Sequence, residues 1–177
     1  MLVVSDNSPV RYLRLLDCAH VLPILSGRIL IPRAVVEELQ HPNTPAVVRT
    51  WLADPPAWLE VRPIAGRPDA ALATLEAGEQ EAIVLAQELH ANILLVDDGK
   101  ARDLAIQQGL RVMGTVGVLE QAAAQGLVDL PEVLTRLLTT NFRILRVIID
   151  DALTVMLSAS ARRKGNPLTL PVWACIV

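Results

Sequence analysis

The stretch that decides the fold is ILLVDDGK, residues 93–100. It begins with a continuous apolar run, becomes polar at two aspartates, and leads through Gly99 into a helical pattern that extends to about Gln108. A strand with one solvated face alternates apolar and polar side chains, whereas a strand of a parallel sheet is covered on both faces and is apolar throughout. The stretch therefore predicts a buried parallel strand followed by a helix.

The same order of strand and helix recurs along the chain. Short apolar runs that predict strands are followed by segments with apolar residues at helical spacing, and glycines or prolines separate them. This alternation predicts an α/β fold in which helices cover both faces of a parallel sheet. The predicted strands are 2–5, 29–31, 93–96 and 110–113, with an edge segment at 58–64, and the predicted helices include 32–40, 46–53, 100–108 and 115–125.

Two expectations concern how helices begin and end. Ser8 precedes Pro9, and a serine before a proline is a favourable cap for the first helix. Gly78 is expected to break a helical hairpin into the segments 70–76 and 79–90, because glycine weakens a helix interior.

Composition restricts the class of protein. The 177 residues include 16 Lys+Arg and 19 Asp+Glu, and the formal net charge of −3 excludes a globally basic protein held to nucleic acid by phosphate attraction. Hydrophobic residues make up 52% of the chain, yet no apolar run approaches the ~20 residues that span a bilayer, so no membrane attachment is predicted. Only 3% are aromatic, so the core must consist of Leu, Val, Ile and Ala.

The chain ends and cysteines add expectations about location and domains. The N-terminus lacks the basic lead and long apolar segment of a signal peptide, and the two cysteines fit neither a disulfide framework nor a zinc site. These features are typical of a cytoplasmic protein. We expect one domain over residues 1–150, followed by a helix end and tail over 151–177.

Carboxylates follow two of the predicted strands at the point where each strand ends. Asp6 comes directly after the strand 2–5, and Asp97 and Asp98 come directly after 93–96. Open α/β sheets bind ligands at the carboxyl ends of their strands, and neighbouring strands lie ~4.8 Å apart. Carboxylates that converge there suit Mg²⁺ or Mn²⁺. The alternative is that Asp6 and Asp98 only cap the helices that follow them.

Further acids lie on helices, and helix geometry gives their direction. Glu38 flanks the apolar face of its helix, whereas Glu37 points almost directly away from it, so Glu38 is the candidate. On the helix that precedes the strand 93–96, Glu79 and Glu81 lie on opposite flanks of the apolar face. Geometry does not choose between these two acids.

Four motifs, in this order, resemble those of PIN-domain ribonucleases, with the closest likeness to the VapC-type toxins. They are DNSP at 6–9, PRAVVEEL at 32–39, GEQEAI at 78–83 and LLVDD at 94–98. The resemblance covers roughly residues 1 to 150. It implies a three-layer α/β/α sandwich around a short parallel sheet, and cleavage of RNA with Mg²⁺ or Mn²⁺ held by three or four acids.

The resemblance also assigns site residues. Glu81 matches the family pattern better than Glu79, because small and apolar residues follow it, and Asp98 matches better than Asp97. Asn7 stands where threonine is common, and the acid at 81 is more often an aspartate. The acids that the resemblance assigns to metal binding and catalysis are Asp6, Glu38, Glu81 and Asp98.

The function that the resemblance implies is a metal-dependent endoribonuclease that acts as the toxin of a toxin–antitoxin pair. Such toxins commonly form homodimers and are silenced by an antitoxin protein that enters the acidic site. The alternative is a catalytically degenerate PIN-like module that binds a partner, which the departures at Asn7 and Glu81 favour. The chain has neither a phosphate-binding loop nor a dinucleotide-binding glycine motif, so a nucleotide cofactor is not predicted.

Overall fold

The computed structural model describes residues 1–142, which form a three-layer α/β/α sandwich around a parallel sheet. The strands are β1 (Val3–Ser5), β2 (Ile29–Ile31), β3 (Leu59–Val61), β4 (Ile93–Leu95) and β5 (Val112–Met113). The helices are α1 (Asn7–Leu15), α2 (Val21–Ser26), α3 (Arg33–Gln40), α4 (Ala46–Ala53), α5 (Ala77–Glu88), α6 (Gly99–Gln107), α7 (Thr115–Ala124) and α8 (Leu130–Leu138). The predicted fold class is confirmed.

The first strand lies at the centre of the sheet, whose strand order is β3-β2-β1-β4-β5. Val3 pairs in parallel with Ile29 of β2 on one side and with Ile93 of β4 on the other. The chain therefore builds outward from β1 to β3 and then returns past β1 to form β4 and β5. This reversal makes a topological switch point between β1 and β4, and open α/β sheets bind ligands outside the carboxyl ends of the strands at such a point.

Aliphatic side chains cover both faces of the sheet. Every residue of β1, β2 and β4 is buried, which explains why these strands lack the alternation of a half-exposed strand. Residues 82–86 of α5 are also all buried, and this helix packs against β1 and β4. Each buried Leu or Ile of this core contributes about 2 kcal/mol of transfer free energy, so the aliphatic composition is sufficient for a core without many aromatic rings.

Most predicted elements agree with the structure within two residues. The helix predicted at 46–53 has those bounds, and β3 is an edge strand, as Pro63 indicated. Gly109 has a φ of 80° and ends α6, in the left-handed region that glycine adopts readily. α2 and α8 were not among the predicted helices.

The two expectations about helix ends were wrong. Asp6, and not Ser8, caps α1, because the extended backbone of Asp6 lets its side chain accept the Ser8 N–H. Gly78 lies inside the first turn of α5, and only a 3-10 turn at Ala70–Leu72 precedes that helix. Glu76 and Glu79 start α5 with a capping box, in which each side chain accepts the backbone N–H of the other, so the helix begins before Gly78 instead of breaking there.

Some expectations fall outside the part of the chain that the structure describes. The predicted domain end at residue 150 and the tail over 151–177 are among them. Within residues 1–142, no helix is long enough and apolar enough to cross a membrane.

Candidate active site

Asp6 lies at the carboxyl end of the central strand and is buried, with 2% of its surface exposed. Its backbone N–H donates to the Leu95 carbonyl of β4 over 2.9 Å, which places it at the switch point. The Oδ2 atom accepts the Ser8 N–H at 3.4 Å. The Oδ1 atom is buried and accepts no hydrogen bond of good geometry from any described residue. Asp6 therefore caps a helix and also carries an unsatisfied oxygen.

The electrostatic surroundings of Asp6 favour a bound proton or cation. Burial raises the pKa of Asp6 to about 8, because the charged form loses its hydration. The negative charges of Glu79 and Glu38 raise it further, while the backbone N–H groups of Asn7 and Ser8 lower it. A buried carboxylate beside two other acids is unfavourable until a positive charge joins them.

Glu38 extends from α3 to the same end of the sheet. Its Oε1 accepts the Gly78 N–H at 2.7 Å, and its Oε2 accepts a hydrogen bond from the Asn7 side-chain amide. Because Asn7 directly follows Asp6, these bonds hold the Glu38 carboxylate beside Asp6. Glu37 is exposed, as helix geometry predicted. A carboxylate has about four acceptor positions, so Glu38 retains lone pairs after accepting two hydrogen bonds.

Gly78 leaves the space that Glu38 occupies. A Cβ added to Gly78 would lie 2.6 Å from Glu38 Oε2 and 2.8 Å from Glu38 Cδ, closer than non-bonded atoms approach. This role of Gly78 was missed in the sequence, where the residue was interpreted as a helix break. The capping pair Glu76 and Glu79 was the available signal that a helix begins before Gly78.

The two acids that geometry left open, Glu79 and Glu81, have different surroundings. Burial of Glu79 raises its pKa, and the charges of Asp98 and Glu38 add to this shift. Glu81 instead accepts the backbone N–H of Ala34, at the start of α3, with its Oε2 at 3.0 Å. The structure thus places Glu79 within electrostatic range of the other acids and engages Glu81 with the neighbouring helix.

The two aspartates after β4 also differ. Asp98 is exposed, and its Oδ1 caps α6 by accepting the Ala101 N–H at 2.9 Å. Asp97 accepts the Thr115 N–H at 2.7 Å and the Thr115 hydroxyl at 2.6 Å, so both of its oxygens hold the start of α7. Burial raises the pKa of Asp97. Asp98 is therefore the more accessible of the two carboxylates. Its negative charge also helps to raise the pKa of Glu79.

These acids fit a divalent cation by their chemistry. Carboxylate oxygens are the ligands that Mg²⁺ and Mn²⁺ prefer, and Asp6 offers a buried oxygen without a hydrogen-bond partner among the described residues. Within residues 1–142, no three His, Cys, Asp or Glu side chains are arranged to hold a metal ion as they stand. The carboxylates of Glu38 and Glu79 already accept hydrogen bonds from the backbone N–H groups of Gly78 and Glu76. A cation would bind these carboxylates in addition to, or in place of, those hydrogen bonds.

A basic side chain, that of Arg102, lies near Asp97. Arg102 donates from Nη1 to the Val96 carbonyl at 3.1 Å, at the carboxyl end of β4. Its positive charge lowers the pKa of Asp97, against the larger effect of burial. Arg14, by contrast, pairs with Asp17 at 2.8 Å beyond the end of α1. Arg102 is thus placed to contact an anionic group that approaches this end of the sheet.

The raised pKa of Asp6 predicts how stability depends on pH without metal. Between about pH 4 and pH 8 the folded state retains a proton on Asp6 that the unfolded state has released. The free energy of unfolding should therefore fall by about 1.4 kcal/mol per pH unit over this range. Denaturant unfolding in EDTA at several pH values measures this slope.

The matched variant for this measurement is Asp6→Asn, which does not titrate. Its slope should be clearly smaller, although not zero, because the pKa values of Asp97 and Glu79 are also raised. A wild-type stability that rises from pH 5 to pH 8, or an equal slope in the variant, would contradict the prediction.

A family model matches most of the chain. Residues 2–157 match the model of the DUF3368 family, described as a PIN domain. Among solved structures, a PilT N-terminus domain protein from the archaeon Sulfolobus solfataricus P2 is similar, with 17% identity, a TM-score of 0.47 and coverage of 82% of this chain and 100% of that one. No curated protein matches significantly. By its family match, the chain belongs to the PIN-domain family.

Proposed function

We propose that this protein is a Mg²⁺- or Mn²⁺-dependent endoribonuclease that hydrolyses RNA phosphodiester bonds. PIN domains are generally nucleases, and the family match covers residues 2–157. The observation that carries the proposal is Asp6, buried at the switch point, whose Oδ1 accepts no hydrogen bond within residues 1–142 and whose pKa is raised by burial and also by the charges of Glu79 and Glu38. Asp6, Glu38 and Asp98 are the proposed ligands. For the fourth acid, the coupling of Glu79 to Asp98 supports Glu79 in place of Glu81.

The surroundings of the proposed ligands indicate their parts in the mechanism. Asp6 and Glu38 are fixed by hydrogen bonds to α1 and α5, so their carboxylates bind without a large loss of side-chain entropy. Asp98 is exposed and would hold the cation at the solvent-facing side of the site, because a carboxylate repels a phosphate unless a cation lies between them. When bound, a divalent cation supplies a water of lowered pKa and stabilises negative charge on the phosphate. Arg102 is placed to pair with a phosphate oxygen near β4.

The acidic site accounts for RNA binding by a protein of negative net charge. Removing Asp6, Glu38, Glu79 and Asp98 from the 19 acidic residues leaves 15 against 16 basic ones. The rest of the chain is therefore nearly neutral. The local field becomes favourable to phosphate only with a cation in the site, because the cation is the largest charge there.

The test is cleavage of a labelled single-stranded RNA by the purified protein. We expect cleavage with Mg²⁺ or Mn²⁺, loss of cleavage in EDTA, and recovery when the cation is added in excess. The unfolding transition, measured in the same EDTA buffer, shows that the protein remains folded when activity is lost. Cleavage that persists in EDTA, or no cleavage with either cation on a panel of RNAs, would contradict the proposal.

A second candidate is a partner-binding module without catalysis. The observation that favours it is that Glu38 and Glu79 already accept hydrogen bonds from Gly78 and Glu76, so these acids are partly satisfied by the protein itself. Calorimetry distinguishes the two functions. A catalytic site binds Mn²⁺, whereas a degenerate module shows no heat of binding with either cation.

We also propose that the protein acts as a toxin silenced by an antitoxin. A basic side chain from the partner would pair with Asp6 and Glu38 in place of the cation, since a charge-assisted hydrogen bond would satisfy Asp6 Oδ1, which has no partner among residues 1–142. We also propose a homodimer, because the toxins that the sequence resembles commonly form homodimers. A monomer by light scattering would contradict the homodimer. Purification of the protein without a small partner protein, from a host that encodes one, would contradict the antitoxin.

A further inference from the structure

Two hydrogen bonds join α3 and α5, and each runs from the start of one helix to a carboxylate of the other. The Ala34 N–H at the start of α3 donates to Glu81 of α5 at 3.0 Å. The Gly78 N–H at the start of α5 donates to Glu38 of α3 at 2.7 Å. The pattern is reciprocal, because each helix gives one N–H group and receives one. We call these four residues the α3–α5 clasp.

The clasp satisfies groups that a helix cannot satisfy by itself. Ala34 and Gly78 both lie in the first turn of their helices, where backbone N–H groups have no partner within the helix. A carboxylate is favourable at this end of a helix, because the aligned peptide dipoles leave partial positive charge there. Hydrogen bonds to an ionised acceptor are also stronger than neutral ones. Glu81 therefore has a sufficient structural partner in α3 without any metal.

The contact between α5 and α3 distinguishes Glu81 from Glu79. Gly78 and Glu81 are three residues apart, so they lie on the same side of α5, and both contact α3. Glu79 follows Gly78 by one residue and lies about 100° around the helix. In that direction it is coupled to Asp98 and contributes to the field at Asp6. Because α5 packs in this orientation, Glu81 bonds to α3, whereas Glu79 lies within electrostatic range of Asp98 and Asp6.

We propose that Glu81 is a positioning residue: it closes the α3–α5 clasp and thereby holds the Glu38 carboxylate beside Asp6, where the proposed cation would bind. This inference rests on the proposed function for the part that concerns the cation. The part that concerns the clasp holds for the metal-free protein and is tested there. The inference reverses the assignment that family resemblance gave to Glu81.

The first test uses NMR of the metal-free protein in EDTA. Glu81→Ala should speed hydrogen exchange of the Ala34 amide, and also of the Gly78 amide, by roughly tenfold or more. The change at Gly78 is the informative one, because its own acceptor, Glu38, is unaltered. Glu81→Gln retains an oxygen that accepts from Ala34 and should leave both exchange rates close to wild type. Unchanged protection of Gly78 in Glu81→Ala would overturn the clasp, whether or not the protein binds metal.

The second test is Mn²⁺ binding by calorimetry, with Glu79→Gln as the matched variant on the same helix. Removal of a carboxylate ligand should weaken binding in Glu79→Gln by roughly tenfold or more. Glu81→Gln should bind within about threefold of wild type, and Glu81→Ala should bind more weakly than Glu81→Gln, since only Gln restores the clasp. A loss in Glu81→Gln as large as in Glu79→Gln would overturn the inference.

The two tests separate this inference from the proposed function. If wild-type protein shows no heat with Mn²⁺, the proposed function fails, and the exchange rates of Ala34 and Gly78 still decide whether the clasp exists. If Mn²⁺ binds and the Gly78 amide is unaffected by Glu81→Ala, the proposed function stands and the clasp is overturned.

Discussion

Asp6→Asn is expected to reduce RNA cleavage by about 10³-fold in kcat/KM, or ~4 kcal/mol of transition-state stabilisation. The substitution preserves the shape of the side chain and an oxygen that can cap α1, but it removes the charge at the centre of the acidic group. The measurement is single-turnover cleavage of a labelled RNA with saturating Mn²⁺. Calorimetry on the same variant should show weakened Mn²⁺ binding, because Asp6 provides the buried oxygen that lacks a hydrogen bond among the described residues.

The stability of this variant distinguishes a lost charge from a lost fold. In EDTA at pH 8, Asp6→Asn should be more stable than wild type, because a neutral amide avoids the cost of a buried carboxylate beside Glu79 and Glu38. The matched control is Asp17→Asn. Asp17 is 84% exposed on its side chain and has a φ of 59°, a conformation that Asn also accepts, so its activity should match wild type. Wild-type cleavage by Asp6→Asn would remove Asp6 from the mechanism.

Gly78→Ala is expected to have the second largest effect, although it adds only one methyl group. The new Cβ would lie 2.6 Å from Glu38 Oε2, so either the Glu38 carboxylate or the start of α5 must move. Displacement of a site group by about 1 Å costs roughly 10²-fold in activity. Loss of the Gly78 hydrogen bond to the Glu38 carboxylate should also lower the free energy of unfolding by about 1–3 kcal/mol, offset in part by the ~1 kcal/mol that alanine adds to helix stability. Cleavage kinetics and denaturant unfolding measure the two effects.

Gly99→Ala is the control for Gly78→Ala, since both glycines lie in the first turn of a helix. A Cβ on Gly99 meets no atom within 4 Å. The methyl group should therefore leave activity within about twofold of wild type, and alanine should add up to ~1 kcal/mol of helix stability. Equal activities for Gly78→Ala and Gly99→Ala would mean that Glu38 is not held as the structure describes.

Much of the fold followed from local patterns. The apolar run before Asp97 predicted a buried strand, and its register beside β1 is what a parallel sheet requires. The helix direction of Glu38 was also predictable, because a flank position on an amphipathic helix depends only on sequence spacing. Ser8 was assigned the cap that Asp6 makes, since both residue types are favourable caps and only the backbone conformation of Asp6 distinguishes them.

The assignments that the sequence left open depend on contacts between distant segments. Glu79 and Glu81 are equivalent by helix geometry until α3 lies against α5 and Ala34 offers its N–H to Glu81. Asp97 and Asp98 are equivalent until Thr115 takes both oxygens of Asp97. The deciding partner lies 47 residues from Glu81 in the first pair and 18 residues from Asp97 in the second, where no local pattern indicates it.

By itself the sequence determined the α/β class, the parallel strands and the placement of Asp6 at a strand end, because these follow from the period of apolar residues and the order of the elements. Only the tertiary structure decided that Oδ1 of Asp6 is buried without a partner among the described residues, and that a side chain at Gly78 would displace the Glu38 carboxylate. The physical reason is that desolvation and close contact arise from atoms brought together by folding, and one helix or strand cannot reveal what packs against it.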